Sequence, residues 1–239
     1  MIPATVVEIA VQDVAGARAA LSAGAHRLEL CQALAMGGLT PSIGLLDSVL
    51  AAVDPQLVNV LVRPRGGGFV YTDDEIDVVA ADIRACTERG VGGVVLGALT
   101  RDGHVDHAAL ETWRAAAGRA TVTFHRAIDA VQDPLSVLAE LRGRGVDRVL
   151  TSGGAARAVD GIDVLAHFVE QGSGIEIMAG GGVRPEDIPS LRAAGVRAVH
   201  LSARRSERGD DPAGPGGGAA GHDVTDPQIV AAAVTAARA

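Results

Sequence analysis

The stretch Arg27–Ser42, RLELCQALAMGGLTPS, contains a short strand, a long loop and the start of a helix. Its first leucines alternate with Glu29 and Cys31, which is the two-residue period of a strand. Ser42 is a favoured helix-capping residue, and apolar residues spaced as on one helix face follow it. A carboxylate and a thiol are therefore predicted on one face at the end of a strand, beneath a glycine-containing loop.

The same strand–loop–helix plan recurs along the whole chain. Eight short apolar or alternating segments are separated by helix-like segments, four of which end in Gly followed by an apolar or small residue. The repeat predicts a (β/α)8 TIM-type barrel, whose functional face lies at the carboxyl ends of the strands. A doubly wound open sheet is the alternative, but the even spacing favours the barrel. The predicted strands are Thr5–Ala10, Arg27–Cys31, Val58–Arg63, Gly93–Gly97, Thr121–His125, Arg148–Thr151, Glu176–Ala179 and Ala198–Ser202.

Length, charge and cysteine content restrict the class of protein. A chain of 239 residues with 48% hydrophobic residues can form one domain of this size, spanning residues 1–239. A net charge of −8 argues against nucleic acid or an anionic membrane as the main partner. Two cysteines cannot form a disulfide framework, and neither a signal peptide nor a membrane span is visible, so a cytoplasmic location is expected.

One segment does not fit any predicted element. Residues 203–223 are first rich in charged residues and then rich in Gly and Pro. Such a composition buries too little apolar surface to offset the entropy of ordering, so the segment is predicted to be a disordered loop. It follows the eighth strand, where a plain linker is the favoured interpretation and a lid over the barrel the alternative.

Ionisable residues recur at the predicted strand ends. Because buried charges are costly unless they are paired or functional, their repetition predicts a site at the barrel mouth. The alternative is a salt-bridged plug that merely closes the barrel. The candidates are Glu8, Glu29, Cys31, Arg63, Arg65, His125, Arg126, Asp129 and His200.

The sixth and seventh strands are followed by glycines. In barrels of this type, backbone N–H groups at such positions often hold a phosphate or another anion. The arginines near the third and fifth strands add cationic donors suited to an oxyanion. We therefore predict an anion site, although turn formation alone would explain each glycine. Its members are Arg63, Arg65, Arg126, Ser152, Gly153, Gly154, Gly181 and Gly182.

Several motifs of the chain resemble the CutC family, which is linked to copper homeostasis. They are LELC at 28–31 with GGLTPS at 37–42, RPRGG at 63–67, TFHRA at 123–127, VLTSG at 149–153 and GGGVR at 180–184. The resemblance implies a TIM-type barrel, a cytoplasmic location and a role in copper binding or tolerance. Some relatives carry further cysteines where this chain has Ala10-Val11, Val70 and Ala130-Val131. Only Cys31 remains at the rim, and Cys86 is predicted to be a small core residue.

Three functions remain open at this stage. A copper protein would hold Cu(I) weakly at Cys31 with His200, helped by His125 or Met178, because Cu(I) prefers soft ligands. An enzyme would act on an anionic, perhaps phosphorylated, small molecule by acid–base chemistry. Its candidate catalytic groups are Glu8, Glu29, His125 and Asp129. The third function is a non-catalytic scaffold. The expected partner is a copper ion or a small anion, and a homodimer is left open.

Overall fold

The computed structural model describes residues 5–172, 174–207 and 221–239. Eight parallel strands form a closed barrel in sequence order, with β8 paired to β1, which confirms the predicted (β/α)8 architecture. Each predicted strand matches an observed one with ends that differ by two residues or fewer. The barrel strands are β1 (Val6–Val11), β2 (Arg27–Leu30), β3 (Val58–Leu61), β4 (Gly93–Leu96), β5 (Thr121–Phe124), β6 (Arg148–Thr151), β7 (Glu176–Gly180) and β8 (Ala198–Leu201).

Helices follow the strands and surround the barrel, and several begin where capping residues predict. Ser42 accepts a hydrogen bond from the Leu45 backbone N–H, and Thr72 forms a reciprocal capping box with Glu75. Among the described residues, no helix is both long enough and apolar enough to cross a bilayer. The helices are α1 (Val14–Ser22), α2 (Ile43–Leu50), α3 (Asp73–Thr87), α4 (His107–Ala117), α5 (Pro134–Gly143), α6 (Ile162–Gln171), α7 (Ile188–Ala193) and α8 (Pro227–Arg238).

The core has two zones, because strand side chains alternate between the helices and the barrel interior. Outward apolar residues such as Ile9 and Leu28 are fully buried in the large core cluster that includes helix residues. Cys86 of α3 is part of this cluster, as predicted. Inside the amino-terminal half of the barrel lies a polar set that we call the floor network. Its members are Glu8, Arg27, Asn59, Thr123, Arg148 and Glu176.

The floor network is held by paired charges. Arg27 Nε lies 2.7 Å from Glu8 Oε2, and Arg27 Nη2 lies 2.6 Å from Glu176 Oε1. Arg148 donates to Glu176 and, over 3.0 Å, to Thr123 Oγ1. Buried charges are stable only when paired and hydrogen-bonded in this way. The salt-bridged plug considered as an alternative is therefore real, but it occupies only the lower part of the barrel.

Two inward-facing glycines leave space for larger side chains of the next strands. A Cβ atom at Gly97 would lie 2.5 Å from His125 Nδ1. A Cβ atom at Gly180 would lie 2.4 Å from Leu150 Cδ1 and 3.3 Å from His200 Cβ. Since real Cβ atoms do not approach so closely, these glycines allow His125 and His200 to take their places inside the barrel.

The segment after β8 differs from the expectation at both of its ends. Residues Arg204–Glu207 form β9, which pairs antiparallel with β10, residues His222–Thr225. Asp223 joins the two strands, because its carboxylate accepts hydrogen bonds from Arg204 and from the Ser206 hydroxyl, each over 2.7 Å. This ion pair, the hydrogen bond from Ser206 and the strand pairing order the ends of a segment whose composition alone predicts disorder. The remainder of the predicted loop, residues 208–220, lies outside the described residues.

Candidate functional site

A cavity of about 360 Å³ opens at the carboxyl ends of the barrel strands, and we call it the mouth cavity. It lies above the floor network, where a (β/α)8 barrel normally carries its site. The structure brings eight of the predicted site residues into its wall: Glu29, Cys31, Arg63, His125, Arg126, Gly181, Gly182 and His200. Apolar side chains, among them Leu61, Phe69 and Leu150, complete the wall.

A chain of charged groups connects the floor network to the mouth cavity. Glu8 Oε1 lies 2.9 Å from His200 Nδ1, while Glu8 Oε2 accepts hydrogen bonds from Arg27 and Asn59. On the other side of the imidazole ring, His200 Nε2 lies 3.8 Å from Glu29 Oε2. Donor atoms of Glu8, Glu29 and His200 all lie within 4.8 Å of one another. The three groups therefore titrate as one interacting set.

The pKa values of the two carboxylates in this set are shifted in opposite directions. Burial opposes the charge on Glu8, but the hydrogen bond from His200 and the charge of Arg27 outweigh it and lower its pKa to about 2. Burial raises the pKa of Glu29 to about 7, because the charge of His200 only partly compensates and the charge of Glu8 adds to the effect. Burial also disfavours the charged form of His200, yet Glu29 and Glu8 raise its pKa overall. Glu29 is thus poised to gain or lose a proton near neutral pH.

His125 is held as a neutral ring with a defined tautomer. Burial, with help from the nearby charge of Arg63, lowers its pKa to about 3. Its Nδ1 atom accepts a hydrogen bond from the Ala127 backbone N–H over 3.2 Å, so the proton of the neutral ring must be on Nε2. His125 is 6% exposed, and Nε2 is buried without a hydrogen-bond partner in the described part of the chain.

The two arginines that follow the third strand lie in different places. Arg63 lies in the cavity wall, where its guanidinium donates to the carbonyls of Met36, Gly38 and Gly67 and packs over the Phe69 ring. Arg65 is a correction, because it does not line the mouth cavity. Its guanidinium forms an ion pair with Glu75 and lies over the Tyr71 ring instead. β3 ends at Leu61, so strand alternation no longer orients Arg65.

The predicted anion cradle after β6 is filled by the protein's own carboxylate. Asp129 accepts hydrogen bonds from the backbone N–H groups of Ser152 and Gly154. It also accepts hydrogen bonds from the hydroxyls of Thr151 and Ser152 and from Arg126 Nε. The Gly153 N–H donates to Thr151 Oγ1. Asp129 is therefore already hydrogen-bonded within the protein, and the N–H groups of Ser152, Gly153 and Gly154 already have acceptors. A catalytic role for Asp129 and anion binding by these three residues stay predictions.

The soft metal ligands proposed from the sequence have different surroundings. Cys31 is fully buried beside Leu61 and Val95, and burial together with the charge of Glu29 raises the pKa of its thiol. Met178 lies in the barrel interior, where its sulfur contacts Arg27 Nη2 at 3.2 Å. The grouping of potential metal ligands found among the described residues contains His200, as predicted, but pairs it with Glu8 and Glu29 rather than with Cys31.

Several residues of the site escaped the sequence reasoning. Arg27 belongs to the same alternating face as Glu29 and Cys31, and this spacing could have identified it. Arg148 and Glu176 each begin a strand, on the inward face and opposite one another in register. Arg204 lines the mouth cavity from β9, within the segment that composition predicts to be disordered.

Comparisons with known proteins agree on one family. The sequence profile of the CutC family matches residues 5–205. Family protein CutC of Salmonella typhimurium LT2 and that of Salmonella schwarzengrund are each 47% identical over 180 residues, which covers 75% of this chain and 72% of theirs.

Solved structures support the same relationship. A Streptococcus agalactiae protein described as copper homeostasis protein CutC has 31% identity and a TM-score of 0.76, covering 83% of this chain and 98% of its own. Thiamine phosphate pyrophosphorylase from Pyrococcus furiosus, at 17% identity and a TM-score of 0.58 over 98% of this chain and 95% of its own, shares the fold alone. The matched motifs, the barrel and the relatives lead to one conclusion: this chain belongs to the CutC family.

Proposed function

We propose that this protein acts in copper homeostasis in the cytoplasm and binds one copper ion weakly at the mouth cavity. Membership of the CutC family supports the copper role, as does the description of the Streptococcus agalactiae relative as a copper homeostasis protein. Two free cysteines are compatible with a reducing compartment. The observation that carries the proposal is the convergence of donor atoms from Glu8, Glu29 and His200 within 4.8 Å.

The donor chemistry explains why binding should be weak. Cu(I) prefers thiolate, thioether or imidazole ligands, whereas this cluster offers one imidazole and two carboxylates. Glu8 is already engaged by Arg27 and Asn59. Cys31 lies in the same cavity wall, but its buried thiol must lose a proton before it can act as a thiolate ligand. We therefore expect at most one ion per chain.

The test is an anaerobic titration against a calibrated Cu(I)-chelating dye. Cys31→Ser and His200→Gln should each weaken binding, because each removes one soft donor from the cavity wall. Cys86→Ser is the matched control, since this cysteine lies in the core of α3 and should leave the affinity unchanged. Tight binding of two or more ions, or unchanged affinity in both cavity variants, would contradict the proposal. Sedimentation of the same samples would decide whether the chain forms a homodimer.

A second candidate function is acid–base catalysis on a small anionic molecule. The specific observation in its favour is Glu29, which has a pKa of about 7, faces the mouth cavity and lies beside His200. Three arginines line the same cavity and favour an anionic ligand: Arg63, Arg126 and Arg204. Native mass spectrometry of protein purified from its own cells tests this function. A retained anionic metabolite is expected, whereas retained copper without any metabolite, or an empty protein, would count against it.

A further inference from the structure

We infer that the mouth cavity binds the carboxylate of a small organic acid between Arg63 and His125, at the position that the ring of Phe69 now covers. In this assignment the Arg63 guanidinium supplies the counter-charge, and the His125 Nε2–H group donates a hydrogen bond to a carboxylate oxygen. The inference rests on the second proposed function and gives it a ligand class and a place in the cavity.

Arg63 carries a buried charge that has no carboxylate partner in the described part of the chain. The side chain is 8% exposed, and its terminal nitrogens donate to three backbone carbonyls of the surrounding loops. Its Nε–H group is buried and has no acceptor among the same residues. Carbonyls satisfy hydrogen bonds but do not neutralise the guanidinium, so the charge lacks the ion pair that a buried charge normally requires.

The other two arginines of the cavity wall are already neutralised. Arg126 Nε lies 2.8 Å from Asp129 Oδ2. Arg204 Nη1 lies 2.7 Å from Asp223 Oδ2. Of the three cavity arginines, Arg63 is therefore the one that gains most from an external anion.

His125 supplies a second donor in the same wall. Its Nδ1 atom accepts a hydrogen bond from the Ala127 backbone N–H, so the ring proton is on Nε2. The Nε2–H group is buried and finds no acceptor in the ranges that the structure describes. A carboxylate oxygen would satisfy this donor with a charge-assisted hydrogen bond, which is stronger than a bond between neutral groups.

The ring of Phe69 brings the two side chains to one position. Its centre lies 4.9 Å from the His125 ring centre and 5.2 Å from the Arg63 guanidinium carbon. A group that takes the place of this ring can therefore contact both side chains. The ring face gives the guanidinium only a weak cation–π partner, which a carboxylate would replace with a full negative charge.

Phe69 is also the part of this arrangement that can move. Both donor atoms are buried, so a ligand reaches them only after a side chain is displaced. Phe124, the other phenylalanine beside the His125 ring, is fully buried in the core, whereas Phe69 is partly exposed. The Phe69 carbonyl accepts a hydrogen bond from the Leu99 N–H over 2.8 Å, which holds the backbone. Rotation of the Phe69 side chain alone would uncover the donors and leave the loop in place.

The rest of the cavity wall indicates what the carboxylate is attached to. The cavity has a volume of about 360 Å³, and Leu61, Leu150 and Val183 are among the apolar side chains that line it. Small-molecule sites combine such apolar walls with a few polar groups that fix the orientation of the ligand. A carboxylic acid with a short apolar chain matches both parts of this wall.

The first test is an NMR titration of chelator-treated protein with butyrate. The side-chain Nε2–H signal of His125 and the Nε–H signal of Arg63 should both shift. Butyramide, which has the same shape but no charge, should shift neither. Inorganic phosphate tests the other common oxyanion, and larger shifts with phosphate than with butyrate would overturn the assignment of a carboxylate.

Variants test the position of the ligand and the role of the cover. Phe69→Ala should bind butyrate about 10- to 100-fold more tightly, because binding no longer requires a minor, uncovered state. Val70→Ala, at an exposed position of the same loop, is the matched control and should bind like the parent. His125→Phe keeps an aromatic ring but loses the donor, and should bind butyrate about tenfold more weakly or worse. Arg63→Gln should show at least the same loss.

The outcomes separate this inference from the function on which it rests. Unchanged affinity in Phe69→Ala or in His125→Phe would overturn the inference. So would butyrate shifts at the Arg126 side chain without shifts at Arg63, since they would place the anion elsewhere in the cavity. An anionic metabolite retained in native mass spectrometry would leave the second proposed function standing in each case, so the two failures are distinguishable. Because Arg63→Gln also frees loop carbonyls, the shifts in the parent protein and the His125→Phe variant decide the case without it.

Discussion

Glu8 and His200 meet across the seam where β8 pairs with β1, with Glu8 Oε1 2.9 Å from His200 Nδ1. The two residues are 192 positions apart and lie directly opposite one another in the strand register. The first and last strands of the barrel thus place the groups that tune Glu29. Pairing of β8 with β1 therefore brings Glu8 and His200 together beside Glu29.

The pH dependence of stability should reveal Glu29. Its pKa is raised from 4.5 to about 7 in the folded state, so its contribution to the free energy of unfolding is complete below pH 4.5 and is lost as the pH rises through 7. Glutamine does not ionise, so Glu29→Gln removes the fall in the free energy of unfolding between these pH values. The variant should therefore gain stability relative to the parent between pH 4.5 and 7, by at most about 3 kcal/mol. Urea unfolding at several pH values measures this difference, and a constant difference across that range would contradict the assigned pKa.

Glu8 should behave in the opposite direction. Its pKa is lowered to about 2, so its contribution is present above pH 4.5 and disappears as the pH falls through 2. Glu8→Gln removes one buried counter-charge from Arg27, which keeps Glu176, and one from His200, which keeps Glu29. The loss of stability at neutral pH should therefore be at most about 3–5 kcal/mol. Glu170→Gln, at an exposed position of α6, is the control. Chemical denaturation of both variants is the measurement, and equal small losses would refute the buried ion pair.

Gly97→Ala should disturb His125 specifically. The new methyl group would lie 2.5 Å from His125 Nδ1, so the imidazole must move and its bond from the Ala127 N–H must weaken. Overpacking of this kind typically costs about 1–3 kcal/mol. Gly68→Ala is the matched control, because a Cβ atom there meets open space. The imidazole NMR signals of His125 should shift in the first variant alone, and a shift in neither would contradict the packing.

Asp129→Ala should empty the cradle after β6 and turn it into an anion site. The variant loses the acceptor shared by Ser152, Gly154 and Arg126. The buried Ser152 N–H left unsatisfied costs about 1–3 kcal/mol, whereas Gly154 and Arg126 are exposed enough to bind water. Acetate or formate can replace the missing carboxylate, so either should raise the Tm of the variant more than that of the parent. Asp102→Ala, an exposed position, should show no such rescue. Equal responses of all three proteins would exclude this account of the glycines.

The sequence predicts the barrel well because the features that define it are local. Alternation within each strand and a glycine after the helices are enough to order eight strands, and strand ends of a parallel barrel must share one mouth. Glu29, His125 and His200 converge for this reason. From the sequence, a salt-bridged plug and a functional site are alternative explanations of the ionisable residues. In the structure both are present, because the floor network lies in the lower part of the barrel and the mouth cavity lies above it.

The remaining features depend on contacts that no local pattern records. Arg65 lies beyond the end of β3 and finds Glu75 ten residues later. Asp129 reaches the amides after the next strand, so the glycines there serve the protein itself. Arg204 enters the cavity wall because Asp223 orders the hairpin that carries it. Composition describes how a segment behaves on average and misses such individual partners.

The floor network fills the lower part of the barrel interior. Arg27, Arg148 and Glu176 lie below the site, and the mouth cavity is the opening that Glu29 and His125 line in the described part of the chain. Whatever enters must leave by the same opening before the next occupant can arrive. A copper ion or a small acid bound beside Glu29 would therefore enter and leave on the same side of the barrel.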